Sequence, residues 1–484
     1  MHGRHRTKSA PAARTRSKSL LLLLLSIAQL MVILDISAVN VALPDLAKDL
    51  SIGRGEIGWT ITSYSLIFGS LLLLGGRAAD LLGRRRVFLA GLGVFTASSL
   101  LTALAGDATM LFAARAGQGL GAAMLSPAAL SILTTSFQGH ERAKALGVWG
   151  AVGGAGAAIG VLLGGALTEL VDWRAIFFIN LPVGIALAAG AIRILPADTT
   201  PARWRGLDLR GALLATASLG GLVYALSQAE SAGWTSAQTL GIGAAAIAGL
   251  ALFATVELRT AEPLLRVQRL TDRAVGGGFA MMLTASAVMF GAFLLSSLYL
   301  QNVLGTGALE TGLAFLPFAA AIGAGVHVAG HAITHAGVRI PLATGFAIAA
   351  IGMLLLSGVS AGGSYVSDVL PGMLVAGVGL GIILVSVSVA VLTGARDEES
   401  GMLSGLNTTG HEVGGSLGVA ILVTVATGTI GGTAGPAGLA NGIGDAFLVA
   451  GVIAAVASAA ALVILPSARS FLPKLALAPR VAVH

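Results

Sequence analysis

Gly76-Arg77-Ala78-Ala79-Asp80-Leu81-Leu82-Gly83-Arg84-Arg85-Arg86 is a basic turn with a single acid, set between apolar stretches at 57–79 and 86–106. Each flank has the length of a helix that crosses a hydrocarbon core, about 20 residues for about 30 Å. The segment between them is long enough only for a tight reversal. Gly76 and Gly83 permit close backbone approach and a sharp change of direction. The arginines Arg84 and Arg85, with their neighbours, hold such a turn on one face of a membrane, and Asp80 is placed to bind a helix N-terminus or an arginine as a releasable latch.

The same alternation of apolar run and short polar turn fills the chain. Spans are expected at 20–44, 57–79, 86–106, 109–136, 143–170, 175–195, 208–228, 238–257, 274–303, 309–334, 338–358, 366–393, 402–430 and 440–465, fourteen in all. The 484 residues are 55% hydrophobic and only 11% charged, against about 25% charge in soluble domains. This is a polytopic membrane protein with no soluble domain left over. Cysteine is absent, which excludes disulfides and thiolate metal sites.

The net charge of +7 does not indicate nucleic acid, because the charge is segregated. If the N-terminus is cytoplasmic, every Lys and Arg except Lys48, Arg54, Arg174 and Arg115 falls on the inner side, as the positive-inside rule requires. An even span count also places the tail with Arg469, Lys474 and Arg480 inside. The first 19 residues hold six bases and no acid, and the apolar run that follows continues without a cleavage site. They are read as a disordered basic tail ahead of an uncleaved first span.

An internal repeat is visible. Gly330, Gly337 and Arg339 reproduce the spacing of Gly76, Gly83 and Arg85, with Thr334 at the place of Asp80. The organisation read from it is a tail at 1–19, a six-helix bundle at 20–195, two inserted spans with linkers at 196–273, a second six-helix bundle at 274–465, and a tail at 466–484.

Within the spans a few polar groups stand out. Arg115, in Leu111-x-x-x-Arg115-x-x-Gln118-Gly119-x-Gly121, is an arginine inside hydrocarbon and needs a partner. Asp35, in Leu34-Asp35-Ile36-Ser37-Ala38-Val39-Asn40, is the carboxylate well inside a span of the first half. At ~1.5 Å per residue the two lie about 13 and about 9 Å below the outer surface, so they can meet in depth, and such a pair can exchange a proton if its balance changes with conformation. Gly156, Gly160, Gly164 and Gly165 form a small-residue face on the fifth span, expected on the central seam. Span 13 carries Asn407, His411 and Glu412, with Glu412 near the bilayer middle as a proton or cation site. His327, His331 and His335 share one helical face, with no acid or cysteine beside them to complete a metal set.

The Gly-x-x-x-Asp-x-x-Gly-Arg-Arg turn resembles the signature loop of the major facilitator superfamily between its second and third spans. Arg115-x-x-Gln118-Gly119 resembles that superfamily's fourth-span pattern. The Asp35 segment, Asp172-Trp173-Arg174-Ala175-Ile176-Phe177-Phe178-Ile179-Asn180-Leu181-Pro182, Tyr299-Leu300-Gln301-Asn302 and the fifth-span glycines are similar to its fourteen-span drug/proton antiporter branch, with Val161 at the place of that signature's proline. The resemblance implies an all-α major facilitator fold of two six-helix bundles plus two inserted helices, working by alternating access. It implies export of small hydrophobic or cationic drugs. Asp35 and Arg115 would couple protons, Glu412, His411, Asn407 and Asn40 would bind substrate, and Gly76, Asp80, Gly83, Arg84 and Arg85 would latch the inner gate. The protein is expected to work as a monomer in a bacterial plasma membrane without cofactor or metal. A proton-driven importer shares this fold, and a membrane sensor would need neither a buried acid nor a mid-span arginine. No enzyme signature such as His-Glu-x-x-His, Gly-x-Ser-x-Gly or a phosphate loop is present.

Overall fold

The computed structural model describes residues 11–53, 56–137, 139–198, 208–393, 395–428 and 435–476. Long apolar runs leave helix as the form that satisfies its own backbone, and the long apolar runs among the described residues are helical. The first half comprises α1 (Pro11–Asp49), α2 (Trp59–Leu82), α3 (Arg84–Ala103), α4 (Ala108–Ser136), α5 (Gly139–Leu170), and the broken sixth span α6 (Ala175–Phe178) and α7 (Asn180–Ile194). The inserted pair is α8 (Leu209–Ala232) and α9 (Ala237–Glu257). The second half comprises α10 (Val275–Leu298), α11 (Ala308–Ala314), α12 (Leu316–Ala336), α13 (Arg339–Leu356), α14 (Leu370–Leu392), α15 (Ser400–Gly428) and α16 (Pro436–Ile464), followed by the short α17 (Ala468–Ala476).

Among the described residues, twelve helices are long and apolar enough to cross a membrane. The described apolar stretches of α5 and α8 are shorter, at Ile159–Leu170 and Arg210–Leu226. Helix starts are set by local chemistry, since Asp107 accepts from Met110 N (2.8 Å) at the head of α4 and Ser236 accepts from Thr239 N (3.1 Å) at the head of α9. One expectation fails at the N-terminus. The segment 11–19, read as disordered, continues α1 because helix-forming Ala, Arg and Lys join an already nucleated apolar helix, and Pro11 stands in its first turn, where proline is tolerated. Residues 1–10 lie outside the described residues.

The two halves pack by one rule. In the first, α1 lies on α5, α2 on α4, and α3 on α4 and α7; in the second, α10 lies on α15, α12 on α14, and α13 on α14 and α16. Across the seam, α2 meets α15 as α12 meets α5, and α4 meets α15 as α14 meets α5. This is the packing of a duplicated unit. The paired turns agree in detail: Gly83 (φ +106°) and Gly337 (φ +67°) both adopt the left-handed region open to glycine. Helices α8 and α9 pack on each other, with α8 against α2 and α15.

Candidate functional site

The bundle holds a buried polar centre in its first half. Asp35 and Arg115 are fully buried and form an ion pair through Arg115 Nη1 and Asp35 Oδ2. Gln118, one turn along α4 and therefore on the same face, donates to Asp35 Oδ1 (2.8 Å) and Ser99 (2.8 Å) and accepts from Arg115 (2.9 Å) and Thr102 (3.2 Å). Asn180, the first residue of α7, donates to the same Asp35 oxygen (3.1 Å). Arg115 Nε donates to Thr60 O (3.1 Å), and the Tyr64 ring lies under the guanidinium at 4.5 Å. Both Asp35 oxygens therefore accept, and Arg115 is held by four kinds of partner. Removing one member of a buried pair typically costs about 3–5 kcal/mol, because the other charge is stranded.

The sequence brought Asp35 and Arg115 to similar depth but assigned no role to Gln118 and Asn180. Gln118 was detectable as an amide three residues from a buried arginine. Asn180 depends on the break in the sixth span, where the α6–α7 junction turns its side chain inward.

In the second half, His411 Nδ1 lies 2.7 Å from Ser286 Oγ, and its ring stands edge-on to Phe290. Glu412 is half-buried and has no side-chain hydrogen bond or ion pair among the described residues. Asn407 is buried with Oδ1 unpartnered. Asn40 is separate, exposed near the far end of α1 and donating to Ile36 O (3.2 Å). The three histidines of α12 are exposed.

Fifth-span glycines Gly156, Gly160 and Gly164 do not lie on the seam between halves. Their missing Cβ atoms would fall 2.9 Å from Ile33, 2.6 Å from Ser37 and 2.6 Å from Ala38, all on α1. The reason is spacing. Glycines four apart make one stripe, and α1 covers that stripe inside the first bundle. Gly165, one residue out of register, is buried but belongs to a different face. The seam is approached instead at Gly312 against Leu162 and Gly147 against Val326.

At the basic end of the bundle the halves are clasped. Asp80 accepts from Gly401 N (2.8 Å) and Met402 N (2.9 Å), so a carboxylate caps the N-terminus of α15. Gly76 allows this closeness, since a Cβ there would lie 2.2 Å from Gly401 O. Arg84 flanks Asp80 at 3.7 Å. Arg85 is not in the latch: its guanidinium donates to Ile192 O (2.7 Å), and the Arg85 and Arg86 amides donate to Asp198, because Gly83 turns the head of α3 toward the segment after α7. Arg142, near the start of α5, donates to Leu392 O (2.6 Å) at the C-terminus of α14, and Ser131 meets Ser400 at 2.8 Å. Glu399, just ahead of α15, binds Arg266 (2.7 Å) and Arg269 in the linker after α9. Burial alone would push the Glu399 carboxyl up; the Arg269 hydrogen bond and charge, joined by Arg266, outweigh it and hold it below the ordinary glutamate value.

The opposite end of the first bundle is capped by Asp49, which accepts from Arg174 (2.6 Å) and Trp173 (3.2 Å), with Arg174 stacked on the Trp173 ring. Arg174 first and Trp173 second hold Asp49 below its usual value. This gives the Asp172–Arg174 stretch a specific function in fixing the sixth span to the first.

Comparison with known proteins places this arrangement. Residues 25–419 match the model of the Major Facilitator Superfamily. The chain is 40% identical over 405 residues to the puromycin resistance protein pur8 of Streptomyces alboniger, covering 83% of this chain and 80% of that protein. It is 39% identical over 448 residues to the cephamycin export protein CmcT of Amycolatopsis lactamdurans, covering 91% of each. With the lincomycin resistance protein of Streptomyces lincolnensis it shares 32% over 461 residues, 93% of this chain and 94% of that one. The fold is shared with the human organic anion transporter MFSD10 (TM-score 0.62, 15% identity, 94% of this chain and all of that one) and with FucP in its outward conformation (TM-score 0.62, 13% identity, 93% and 100%). With its duplicated helix packing, polar centre and clasped end, the chain belongs to the Major Facilitator Superfamily and is a multi-pass membrane transporter rather than an enzyme.

Proposed function

We propose that the protein is a proton-coupled antiporter that exports small hydrophobic or cationic antibiotics from a bacterial cell, crossing the plasma membrane fourteen times with both termini and the basic end in the cytoplasm. The observation that carries the coupling is the buried Asp35–Arg115 pair. A proton on Asp35 turns an acceptor oxygen into a donor, and arginine has no acceptor to offer it. Protonation therefore releases Arg115, which keeps Gln118, Thr60 and the Tyr64 ring as partners. A group that changes partners without being stranded suits a two-state cycle. The export reading is supported by relatives named for antibiotic resistance and export, and the cytoplasmic placing by the charge bias.

In this reading Glu412, half-buried on α15 and without a side-chain partner among the described residues, receives the cationic part of a substrate, His411 and Asn407 lie on the same helix, and Asn40 stands at the outer mouth. The protein works as a monomer. In everted vesicles, ethidium and hydrophobic antibiotics should accumulate only when a pH gradient is imposed. Accumulation in the opposite sense, with proton flow, would mark an importer and overturn the proposal. Replacement Glu412→Gln keeps volume and removes charge; transport of cations should fall at least tenfold while neutral compounds move as before. An unchanged cation preference would leave Glu412 without a substrate role.

For the inner latch, Asp80→Asn retains an acceptor but loses the charge that complements the α15 N-terminus. The closed inner end should lose population roughly tenfold, slowing export with insertion intact, since the turn's arginines still set topology. Wild-type export rates in this variant would reduce Asp80 to a surface residue.

A further inference from the structure

The two inserted helices end in an acid pair that the transport cycle above does not use. Asp208 caps α8, its Oδ1 accepting from Gly211 N (2.9 Å). Glu257, the last residue of α9, is 2% exposed and accepts through Oε2 from Leu265 N (3.0 Å). The remaining oxygens, Asp208 Oδ2 and Glu257 Oε1, are both buried, and neither has a donor among the described residues. They face each other over Gly211: the position of its missing Cβ lies 2.0 Å from Glu257 Oε1 and 2.6 Å from Asp208 Oδ2. Among the described residues no base neutralises them. Arg210 on α8 and Arg259 and Glu262 after α9 are exposed, Arg77 of α2 lies beside Asp80, and Arg266 and Arg269 are engaged by Glu399. Two buried carboxylate oxygens at this separation, both acceptors, repel unless something with positive charge lies between them.

We propose that Asp208 and Glu257 form a proton-binding site in which one proton, shared between Asp208 Oδ2 and Glu257 Oε1, ties the basic ends of α8 and α9 together. A carboxylic acid donating to a carboxylate supplies the single donor that this site lacks and is a strong, charge-assisted bond. The site also reaches the inner gate. The Leu265 amide is held by Glu257, while the next residue, Arg266, sends its amide to Met402 Sδ (3.3 Å) and its guanidinium to Glu399. Met402 N is one of the two amides that Asp80 grips. The proton thus fixes one end of a strap whose other end lies on the α15 N-terminus. This gate role rests on the basic end being cytoplasmic, whereas the proton site rests on its own geometry.

The test avoids transport, so its result is independent of the efflux reading. Thermal unfolding of the full-length protein in nanodiscs would be followed from about pH 5 to pH 9, with infrared detection of protonated carboxyl groups. A proton bound in the folded state but not in the unfolded chain stabilises at low pH, and that stability is lost as pH rises. The wild-type unfolding temperature should therefore fall toward alkaline pH. In Glu257→Gln the amide donates permanently to Asp208, so the alkaline fall should flatten and one protonated-carboxyl band should vanish. Asp208→Asn supplies the donor from the other side and should behave alike, which covers poor folding of either variant. Equal slopes in wild type and variants, with no band lost, would overturn the proposal. Rescue of the wild type at alkaline pH by added Mg²⁺ or Ca²⁺, absent in Glu257→Gln, would also overturn it and assign the pair to a metal.

Discussion

Replacing Asp35 by asparagine should abolish concentrative drug movement while downhill exchange of the same drug continues. Asparagine retains the size of the side chain and can still accept from Gln118 or Asn180, whose contacts at 2.8 and 3.1 Å both end on one oxygen. It cannot carry a proton through the cycle. It also leaves Arg115, 1% exposed, without its counter-charge, a loss of about 3–5 kcal/mol when nothing compensates. Here Gln118, Thr60 O and the Tyr64 ring compensate in part, so folding should survive with a lowered unfolding temperature. In vesicles with an imposed pH gradient, uphill accumulation and substrate-induced proton release should both drop to background, a loss of at least a hundredfold, or about 2.7 kcal/mol in the coupling. Normal accumulation by this variant would sink the assignment of the coupling proton to Asp35, and loss of downhill exchange as well would make the residue structural.

A comparable effect is expected at Gly76, where the clasp depends on the absence of a side chain. A Cβ would lie 2.2 Å from Gly401 O and 3.2 Å from Gly405 Cα, and the reciprocal Cβ on Gly401 would lie 2.2 Å from Gly76 O. These neighbours are backbone and cannot rotate away. With Gly76→Val, α2 and α15 must separate at this end, and Asp80 then loses Gly401 N and Met402 N together. Because the chain has no cysteine, a single Ser404→Cys, at a site buried in the closed clasp, reports the opening by maleimide labelling. Labelling should rise more than tenfold and export should cease, while Gly93→Ala, where a Cβ meets nothing within 4 Å, should change neither. Unaltered labelling in Gly76→Val would show that the closed end does not depend on this contact.

Apolar runs located the long helices, because a membrane leaves the backbone no other way to satisfy itself, but not the short α17, which lies in the segment read as a tail. The repeat was legible from three residues, since the left-handed turn at Gly83 recurs at Gly337 for the same steric reason. Depth along a helix could be read by counting rise, and the structure brings Asp35 and Arg115 into contact. Azimuth could not be read in the same way. Which neighbour covers a glycine stripe depends on assembly of the whole bundle, so Gly156, Gly160 and Gly164 lie on α1 instead of the seam. Arg84 and Arg85 are adjacent in sequence, yet helical rotation of about 100° sends one toward Asp80 and the other toward Ile192. The partners of Asp35 come from α4 and α7, and no local pattern shows that an amide from the broken sixth span will turn to the same oxygen. The acid pair of the inserted helices was missed for a related reason: Asp208 and Glu257 are 49 positions apart in the chain, each unremarkable alone.

The clasp is lopsided in what it asks of the two halves. Apart from the Ser131–Ser400 hydroxyl pair, the first half contributes side chains, Asp80 and Arg142, whereas the second contributes main-chain atoms, the amides of Gly401 and Met402 and the carbonyl of Leu392. Every amino acid except proline offers such an amide and every one offers such a carbonyl. Drift at positions 402 and 392 therefore leaves the recognition untouched, and no compensating change in the first half is ever called for. Substrate range, to the extent that it is shaped by α14 and α15, is free to diversify without renegotiating how the transporter closes.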